Sequence, residues 1–388
     1  MLTYAAPKAR FFLRKTLLFM SFFRCLLPLL LAVPSLTAQS DTLRLVFVGD
    51  IMGHGPQIRA AEVVRDSVYD FTPNYRYVRP LLERADFAVG NLEVTLTGRP
   101  PYTGYPRFRS PDALATALRE AGFDLLVTAN NHSNDGGRRG VVHTIEVLER
   151  EGFYHTGTFR DARMREALYP LIVYRKDFKL IFLNCTYDTN GIPTPAPTVV
   201  NEIDTAEIRR DLAVARQFAP DFTFMFIHWG DEYQRQESRA QRTLARHMLG
   251  WGADAVIGAH PHVVQPIRME HPTDQEAFAP GLVAYSLGNF ISNQRKPHTD
   301  GGILLEVDLV RDGAGTRVVA YHYTPVYRHI RQNADGSRTY FAVPPGVLDD
   351  AAALEDLNFT EADAKKRDAF YQSTREHLAN DPRATKPH

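Results

Sequence analysis

The 388-residue chain has only two cysteines, Cys25 and Cys185, so a fold held together by several disulfides is excluded. A domain of this length buries enough apolar surface to be stable without them. Cys185 directly follows the apolar run 181–183 and Asn184. That setting predicts a buried strand residue rather than a reactive nucleophile.

The formal net charge is zero, because 45 Lys and Arg residues balance 45 Asp and Glu residues. Nucleic-acid-binding proteins usually carry a basic excess, so the composition argues against a nucleic-acid partner. The sequence has no internal repeat and no low-complexity segment. With 44% hydrophobic residues, its length allows one large domain or two smaller ones.

Residues 1–38 have the pattern of a signal peptide. Basic residues precede a largely apolar stretch, and the small residue Ala38 offers a cleavage site. Arg24 interrupts the apolar stretch, and Met20 is an alternative start that leaves an uninterrupted core at 25–33. We therefore expect export, with the mature protein in the periplasm or at the cell surface.

An uncleaved membrane anchor is the alternative to a cleaved leader. The apolar core at 25–33 is short for a membrane span, which favours cleavage. Cleavage would remove Cys25 and leave Cys185 as the one thiol of the mature chain. A retained anchor would hold the protein at the membrane.

Strand-like and helix-like segments alternate after the leader, which favours an α/β fold with a parallel or mixed sheet covered by helices. Apolar periodicity and capping signals predict helices at residues 77–85, 110–120, 140–151, 205–218, 238–249 and 360–378. Residues 303–310 and 317–323 predict a hairpin. We expect a main domain at 43–300, and a hairpin and helical extension at 301–388 that completes it.

Six short apolar runs each end in residues that can hold a metal ion. The clusters that follow these runs are Gly49-Asp50, Gly90-Asn91-Leu92-Glu93, Asn130-Asn131-His132, His228-Trp229-Gly230, His260-Pro261-His262 and Ser286-Leu287-Gly288-Asn289. Open α/β sheets place their sites just beyond the carboxyl ends of the strands. Six such clusters, far apart in sequence, predict one convergent site.

The clusters differ in how strongly they indicate a metal site. His260 and His262, with a proline between them, are the sharpest signal, because imidazole is the commonest ligand of transition metals. Asn131 offers a hard oxygen ligand, and the adjacent His132 can face a substrate as a proton donor. Asp135 is placed to orient His132 or to cap the next segment.

The other clusters keep a structural alternative. Asp50 is either a ligand or a turn cap, Glu93 is either a bridging carboxylate or a surface residue, and His228 alone would usually be a core histidine. Ser286 lacks the flanking glycines of a nucleophile elbow, so its segment is interpreted as a supporting turn. The proline-rich loop 189–198 is a candidate rim of the site.

In these clusters the chain resembles the bacterial capsule-synthesis CapA family, also called the PGA_cap (poly-γ-glutamate capsule) family, of the calcineurin-like metallophosphoesterase superfamily. The resemblance implies a four-layer metallophosphatase-like α/β sandwich with one or two divalent metal ions. By position, it implies metal ligands at Asp50, Glu93, Asn131, His228, His260 and His262. It also implies a catalytic role for His132, beside Asp135.

The sequence departs from the superfamily in two of these motifs. The superfamily begins with Asp-x-His, whereas Asp50 is followed by Ile51 and Met52, so one histidine ligand is missing. Glu93 stands where Asp is usual. The remaining mixture of oxygen ligands and imidazoles suits manganese, iron or zinc without choosing among them.

Two functions are compatible with the motifs. The first is a metal-dependent hydrolase or transferase that acts on phosphoester or amide bonds of an anionic surface polymer such as poly-γ-glutamate, with Arg107 and Arg109 as candidate contacts to its charges. The second is a non-catalytic subunit that binds or exports the polymer within a membrane synthesis complex. The retained His132 favours the first hypothesis, and the missing histidine favours the second.

Overall fold

The structure is a computed structural model that describes residues 41–65, 67–273 and 279–381. The predicted signal peptide lies outside these residues. Within the described ranges, no helix combines the length and the hydropathy that crossing a membrane requires.

The strands, in chain order, are β1 (Asp41–Ile51), β2 (Glu62–Val64), β3 (Val68–Tyr69), β4 (Phe87–Leu92), β5 (Thr95–Leu96), β6 (Arg109–Ser110), β7 (Leu125–Val127), β8 (Tyr154–Thr156), β9 (Thr158–Phe159), β10 (Leu171–Arg175), β11 (Phe178–Thr186), β12 (Val199–Val200), β13 (Phe222–His228), β14 (Ala255–Ala259), β15 (Ile267–Glu270), β16 (Gly281–Ala284), β17 (Asn289–Ile291), β18 (Gly301–Asp312), β19 (Gly315–Gln332) and β20 (Arg338–Val343).

The α-helices are α1 (Gly55–Ala61), α2 (Arg79–Leu82), α3 (Ala113–Ala121), α4 (Gly137–Arg150), α5 (Ala162–Leu168), α6 (Thr205–Gln217), α7 (Arg239–Trp251), α8 (Ala351–Leu357) and α9 (Glu361–Ala379). Short 3₁₀ helices occur at Thr72–Tyr75 and Pro345–Asp349.

Two large sheets form the centre of the molecule. The first has the strand order β20-β19-β18-β1-β4-β7-β8, and β17 pairs with the end of β1. Strands β1, β4, β7 and β8 are parallel, whereas β18, β19 and β20 are antiparallel. The second sheet has the order β10-β11-β13-β14-β16-β15, with parallel inner strands and an antiparallel strand at each edge.

The two sheets pack face to face, and helices cover both outer faces. Aromatic side chains fill the space between the sheets, where the ring centroids of Phe47 and Phe224 are 5.0 Å apart and those of Phe182 and Phe224 are 5.2 Å apart. Helices α3 and α4 pack on the outside of the first sheet, and α6 and α7 on the outside of the second. The predicted four-layer α/β sandwich is therefore confirmed.

Strand β1 shows why the chain folds in this way. Its residues Leu43, Leu45 and Phe47 face the core between the sheets, while the alternate residues Val46 and Val48 face the helices. A strand that is apolar on both faces must be covered on both faces. Both sheets contain such strands, and this requirement produces four layers.

Two of the predicted helices have different bounds in the structure, and one predicted helix start is confirmed. The helix predicted at 77–85 shortens to α2, because the N–H of Asp86 donates to the carbonyl of Arg44 in β1 and draws the chain into the sheet. Ser110 is not a helix cap but part of β6, where its carbonyl accepts the N–H of Thr97. The predicted capping box at Thr360 is confirmed at the start of α9.

The predicted hairpin is confirmed and is longer than expected. Strand β18 pairs over its whole length with the first part of β19, and the last part of β19 pairs with a third strand, β20, that the sequence did not indicate. Because β18 lies beside β1, this C-terminal part extends the first sheet. Helix α9 packs on β19 through Phe370 and Tyr371, whose rings meet Tyr327.

Cys185 lies buried in β11, as the sequence predicts, and burial raises the pKa of its thiol. A thiol that is both inaccessible and protonated reacts slowly with alkylating reagents. We expect mass spectrometry to find no maleimide on Cys185 in the native protein and full labelling after unfolding in guanidinium chloride. Rapid labelling of this residue in the native state would contradict its placement in the core.

Candidate metal centre

The six predicted ligands meet at one edge, where strands of both sheets end. Asp50 is the penultimate residue of β1, Glu93 follows β4, Asn131 follows β7, His228 ends β13, and His260 and His262 follow β14. All six side chains are buried. The structure therefore brings together residues from the carboxyl ends of five strands, as the strand-end pattern predicts.

Glu93, His260 and His262 form the centre of this group. One ligand atom from each of the three lies within 4.8 Å of the others. His228 joins them, since its Nε2 is 3.6 Å from Oε1 of Glu93, and the Nε2 of His262 is 4.0 Å from the same oxygen. Separations of this size are compatible with side chains that share one divalent ion.

Unsatisfied polar atoms indicate what this space requires. Neither oxygen of the ionised Glu93 carboxylate accepts a hydrogen bond from a donor within the described residues, and Nδ1 of His260 has no partner there either. A buried carboxylate without a partner is strongly destabilising. A divalent cation would satisfy these atoms together, so the donor set fits a metal ion.

Burial shifts the pKa values of these groups in the direction that favours metal binding at the histidines. The pKa of His228 lies well below its ordinary value because of burial and the nearby His260, and burial beside His262 lowers the pKa of His260 to about 3. These imidazoles are neutral at neutral pH, which is their metal-binding form. Burial and the charge of Asp50 raise the pKa of Glu93, a shift that a bound cation would oppose.

Asp50 has a different environment from Glu93, because both of its oxygens have partners. Asn91 donates its Nδ2 hydrogen to Oδ1 at 2.8 Å, and Nδ1 of His262 is 3.1 Å from Oδ2. The same Nδ1 is 3.1 Å from Oδ1 of Asn289. Two acceptor oxygens place the proton on Nδ1 and direct Nε2 of His262 towards Glu93.

The missing histidine of the first motif leaves an apolar environment beside Asp50. Ile51 and Met52 are buried in the core beneath the outer helices. His54, further along, accepts the N–H of Asn293 at Nδ1, and its ring meets Phe108 edge-on at 4.9 Å. Among the described residues of this segment, none places an imidazole at the centre of the site.

Asn131 and His132 stand on the strand-end loop after β7. The Oδ1 of Asn131 is 2.9 Å from Nε2 of His228, which places it at the edge of the metal centre. Nδ1 of His132 is 2.7 Å from Asp135, and Asp135 also accepts the N–H of Phe108 at 2.6 Å. This arrangement fixes the imidazole of His132 and leaves Nε2 to face a substrate.

The backbone at the histidine pair is held in an unusual conformation. His260 has φ = 101° and His262 has φ = 60°, both in the left-handed region that side chains other than glycine rarely adopt. Such residues cost roughly 1–3 kcal/mol each and occur where function requires them. Neighbouring contacts maintain the turn, including the bond from the N–H of Tyr233 to the carbonyl of Pro261.

Two glycines allow the turn around Ser286 to approach the site closely. A Cβ on Gly49 would lie 1.9 Å from the carbonyl oxygen of Gly288, and that oxygen accepts the N–H of Asp50. A Cβ on Gly258 would lie 2.0 Å from the carbonyl oxygen of Tyr285. The side chain of Ser286 accepts a local N–H from Gly288, which agrees with a supporting turn.

The family model described as "Bacterial capsule synthesis protein PGA_cap" matches residues 44–294, which span all of the clusters above. The chain belongs to the PGA_cap family. The match covers more than half of the chain and ends shortly after the sixth cluster.

Two relatives of this PGA_cap protein carry related names. The "Capsule biosynthesis protein CapA" of Bacillus anthracis is 27% identical over 286 residues, covering 71% of this chain and 66% of that protein. The "PGA biosynthesis protein CapA" of Bacillus subtilis is 26% identical over 313 residues, covering 76% of this chain and 73% of that protein. The chain thus spans about two thirds to three quarters of the length of these relatives.

Solved structures align to the PGA_cap chain at lower similarity. The NAD nucleotidase NadN of Haemophilus influenzae is 12% identical with a TM-score of 0.48, covering 88% of this chain and 68% of that one. The calcineurin-like phosphoesterase YfkN of Bacillus subtilis is 14% identical with a TM-score of 0.43, covering 74% and 90%. The four layers themselves follow from the sheet pairing and the cores described above.

Three asparagines belong to the site although the sequence did not single them out as functional residues. Asn91 contacts Asp50 and lies 3.2 Å from Nδ1 of His228, and Asn289 contacts His262. Asn190, in the predicted rim loop, accepts a hydrogen bond from Nδ2 of Asn131 at 3.3 Å, and its own Nδ2 lies 3.5 Å from Nδ1 of His132. Asn91 and Asn289 lie within the strand-end clusters, so the sequence placed them near the site. The sequence does not show which side chains an amide will contact, and their roles could therefore not be predicted.

Proposed function

We propose that this PGA_cap protein is an exported, metal-dependent hydrolase or transferase that acts on phosphoester or amide bonds of an anionic surface polymer such as poly-γ-glutamate. The observation that carries the proposal is the buried Glu93, with both oxygens unpartnered, between His260 and His262 and beside an oriented His132. A purely structural ion would not require the His132–Asp135 pair.

In this proposal the residues of the site have three roles: metal binding, orientation of the ligands and proton donation. Glu93, His260, His262, His228 and Asn131 would hold the ion, which supplies Lewis-acid polarisation of a phosphoryl or acyl oxygen. Asp50, Asn91 and Asn289 orient His262 and His228 through hydrogen bonds. His132, fixed by Asp135, donates a proton to the leaving group from Nε2.

A non-catalytic polymer-binding or export subunit is the second candidate. The observation that favours it is the apolar segment after Asp50, together with the complete hydrogen bonding of Asp50, which reduces the ligands left for a second ion. In that case the ion would hold the strand ends together. The partner would be the polymer within a membrane synthesis complex.

An activity screen separates the two candidates. The mature protein would be loaded with Mn²⁺, Fe²⁺ or Zn²⁺ and assayed on phosphoesters and on poly-γ-glutamate. The variants His228→Ala and Asn131→Ala would be assayed in parallel. His247→Gln is the matched control, because the ring of His247 stacks on Trp251 in α7 and is not among the proposed ligands. The enzyme hypothesis requires turnover that chelation and both site variants abolish and the control preserves. Equal turnover in all four proteins would exclude it.

Export is tested separately by fractionating the native host and sequencing the N-terminus of the mature protein. The proposal expects a chain that begins shortly after Ala38 outside the cytoplasm. A cytoplasmic protein with an intact N-terminus would contradict export.

Asp135→Asn gives a prediction for the role of His132. The substitution keeps the size of the side chain but removes the charge that orients the imidazole, so we expect kcat to fall by roughly 10²-fold. Metal content, measured by mass spectrometry, should remain that of the unaltered protein, because Asp135 contacts no proposed ligand. A parallel loss of metal would show that Asp135 supports the centre as a whole.

A further inference from the structure

The outer helix layer of the second sheet carries an unbalanced positive charge, although the chain as a whole is neutral. Helices α6 and α7 together hold six arginines and two acidic residues, and α7 has no acidic residue. The arginines are Arg209, Arg210, Arg216, Arg239, Arg242 and Arg246. Helix α9, by contrast, has four basic and four acidic residues.

Several of these arginines are not neutralised by neighbours. Arg242 pairs with Glu237 at 3.0 Å and Arg210 pairs with Glu207 at 3.0 Å. In the part of the chain that the structure describes, Arg209, Arg239 and Arg246 have no carboxylate within 4.0 Å. Arg246 donates from Nε to the carbonyl of His271 at 3.0 Å, a contact that leaves its charge unneutralised. Its remaining N–H groups and the guanidinium groups of Arg209 and Arg239 are therefore available to an external anion.

The arginines line two grooves rather than a flat surface. A groove of about 440 Å³ runs between α7 and β15 past Arg239, Arg242 and Arg246. The acidic residue on its wall, Glu270, is engaged by the hydroxyl of Tyr285 at 3.0 Å. A second groove of about 480 Å³ runs along α6 past Arg209 and Arg210 to Trp251.

The spacing of the charges indicates an extended ligand. Arg239 and Arg246 are seven residues apart on α7, which places them about 10 Å apart along the helix axis. A single phosphate or carboxylate reaches only one of them. A chain with a carboxylate on each unit can reach both, and the second groove repeats the arrangement on α6.

The basic layer begins next to the metal centre. Helix α7 follows β13 through the segment 229–238, which starts at the ligand His228. Gly230 of this segment packs on Gln241 in the first turn of α7, where a Cβ would lie 2.6 Å from Nε2. In a parallel β-α-β crossover the N-terminus of the helix lies at the carboxyl edge of the strands, which is the edge that carries the site.

We propose that α6 and α7 form a binding surface for an extended polyanion of carboxylate-bearing units and hold it beside the metal centre. The choice of polymer rests on the proposed function, whereas the surface itself rests on the arginines. An anionic bilayer is the other polyanion to consider, and the concave grooves favour a chain over a flat surface of headgroups.

The test measures the binding of fluorescent poly-γ-glutamate to the metal-loaded mature protein by anisotropy, at low and high salt. The variant Arg209→Gln/Arg239→Gln/Arg246→Gln removes the three unpaired charges. The control Lys365→Gln/Lys366→Gln/Arg375→Gln removes three exposed charges from α9. We expect a roughly tenfold rise in Kd for the first and little change for the second, with a weaker salt dependence in the first alone.

The outcomes separate this surface from the catalytic proposal. His228→Ala should retain polymer binding that depends on Arg209, Arg239 and Arg246, so loss of turnover with retained, arginine-dependent binding supports the surface even if the enzyme hypothesis fails. Equal weakening in both triple variants would overturn the surface. Absence of polymer binding, together with arginine-dependent binding to phosphatidylserine vesicles, would overturn it in favour of a membrane contact.

Discussion

Replacing Glu93 with Gln is expected to abolish metal binding and, at the same time, to stabilise the metal-free protein. Both oxygens of Glu93 are buried without partners, so in the absence of metal the carboxylate opposes folding. Glutamine has nearly the same shape and no charge. Saturating metal should raise the stability of the unaltered protein by about 3 kcal/mol at a hundredfold excess over Kd, and should leave the variant unchanged.

The pH dependence of the metal-free protein provides a second measurement of the same effect. The pKa of Glu93 is raised above its ordinary value of 4.5 by burial, so the folded state binds this proton more tightly than the unfolded state. Its contribution to stability is present at low pH and is lost as the pH rises above 4.5. The difference in stability between Glu93→Gln and the unaltered protein should therefore grow with pH in the variant's favour.

Chemical denaturation with and without metal, across this pH range, checks both expectations. Glu232→Gln is the matched control, because Glu232 lies 4.0 Å from His262 but is 42% exposed. The control should keep the metal response of the unaltered protein and a stability that falls as the pH rises, although less steeply, because the charge of Glu232 also raises the pKa of Glu93. A Glu93→Gln variant that is less stable without metal, or that still responds to metal, would contradict the role assigned to Glu93.

Replacing Arg268 with Met should destabilise the fold by about 3–5 kcal/mol, the largest loss expected outside the site. The guanidinium is 1% exposed and lies between the carboxylates of Glu237, at 2.9 Å, and Asp381, at 2.5 Å. Removing it takes from both carboxylates the buried guanidinium that they share, and Arg242 remains paired with Glu237. Since Asp381 follows α9 and Arg268 belongs to β15, the change should also loosen the C-terminal helix from the second sheet.

Urea denaturation and limited proteolysis measure these two effects. Arg317→Met is the control, because its ion pair with Asp312 is largely exposed and is expected to contribute at most about 1 kcal/mol. The Arg268 variant should show early cleavage within α9, and the control should not. A stability loss no larger than that of the control would mean that the buried pair contributes little to the fold.

The strand-end clusters were predictable because one rule of α/β sheets connects sequence to space. Each apolar run is a parallel strand, and parallel strands deliver the residues that follow them to the same edge. Asp50, Glu93 and His228 converge for this reason, although they lie far apart in the chain. The four layers were implied by the resemblance to the family, and strands that are apolar on both faces account for them physically.

The differences between the predicted ligands were not predictable from the sequence. Asp50 and Glu93 both follow strands, yet Asp50 is fully hydrogen-bonded and Glu93 is not. That difference depends on where Asn91 and Asn289 point, which is set by the packing of several segments rather than by local sequence. The short helix α2 has a similar cause, since a contact with the neighbouring strand ends it.

The distribution of charge over the surface is a third feature that the sequence alone could not predict. The chain has equal numbers of acidic and basic residues, and this balance excludes a polyanion-binding protein only if the charges are mixed over the surface. The fold packs α6 and α7 together in one outer layer, where their arginines line two grooves. Composition alone does not report such a segregation.

The most direct test of the central claim is the metal content of the mature protein purified without chelators. Inductively coupled plasma mass spectrometry of the unaltered protein and of Glu93→Gln, prepared in parallel, gives the number and identity of bound ions. We expect at least one ion of manganese, iron or zinc per unaltered chain and none in the variant. Absence of these metals from both proteins, with no thermal shift when any of the three is added, would contradict the metal centre.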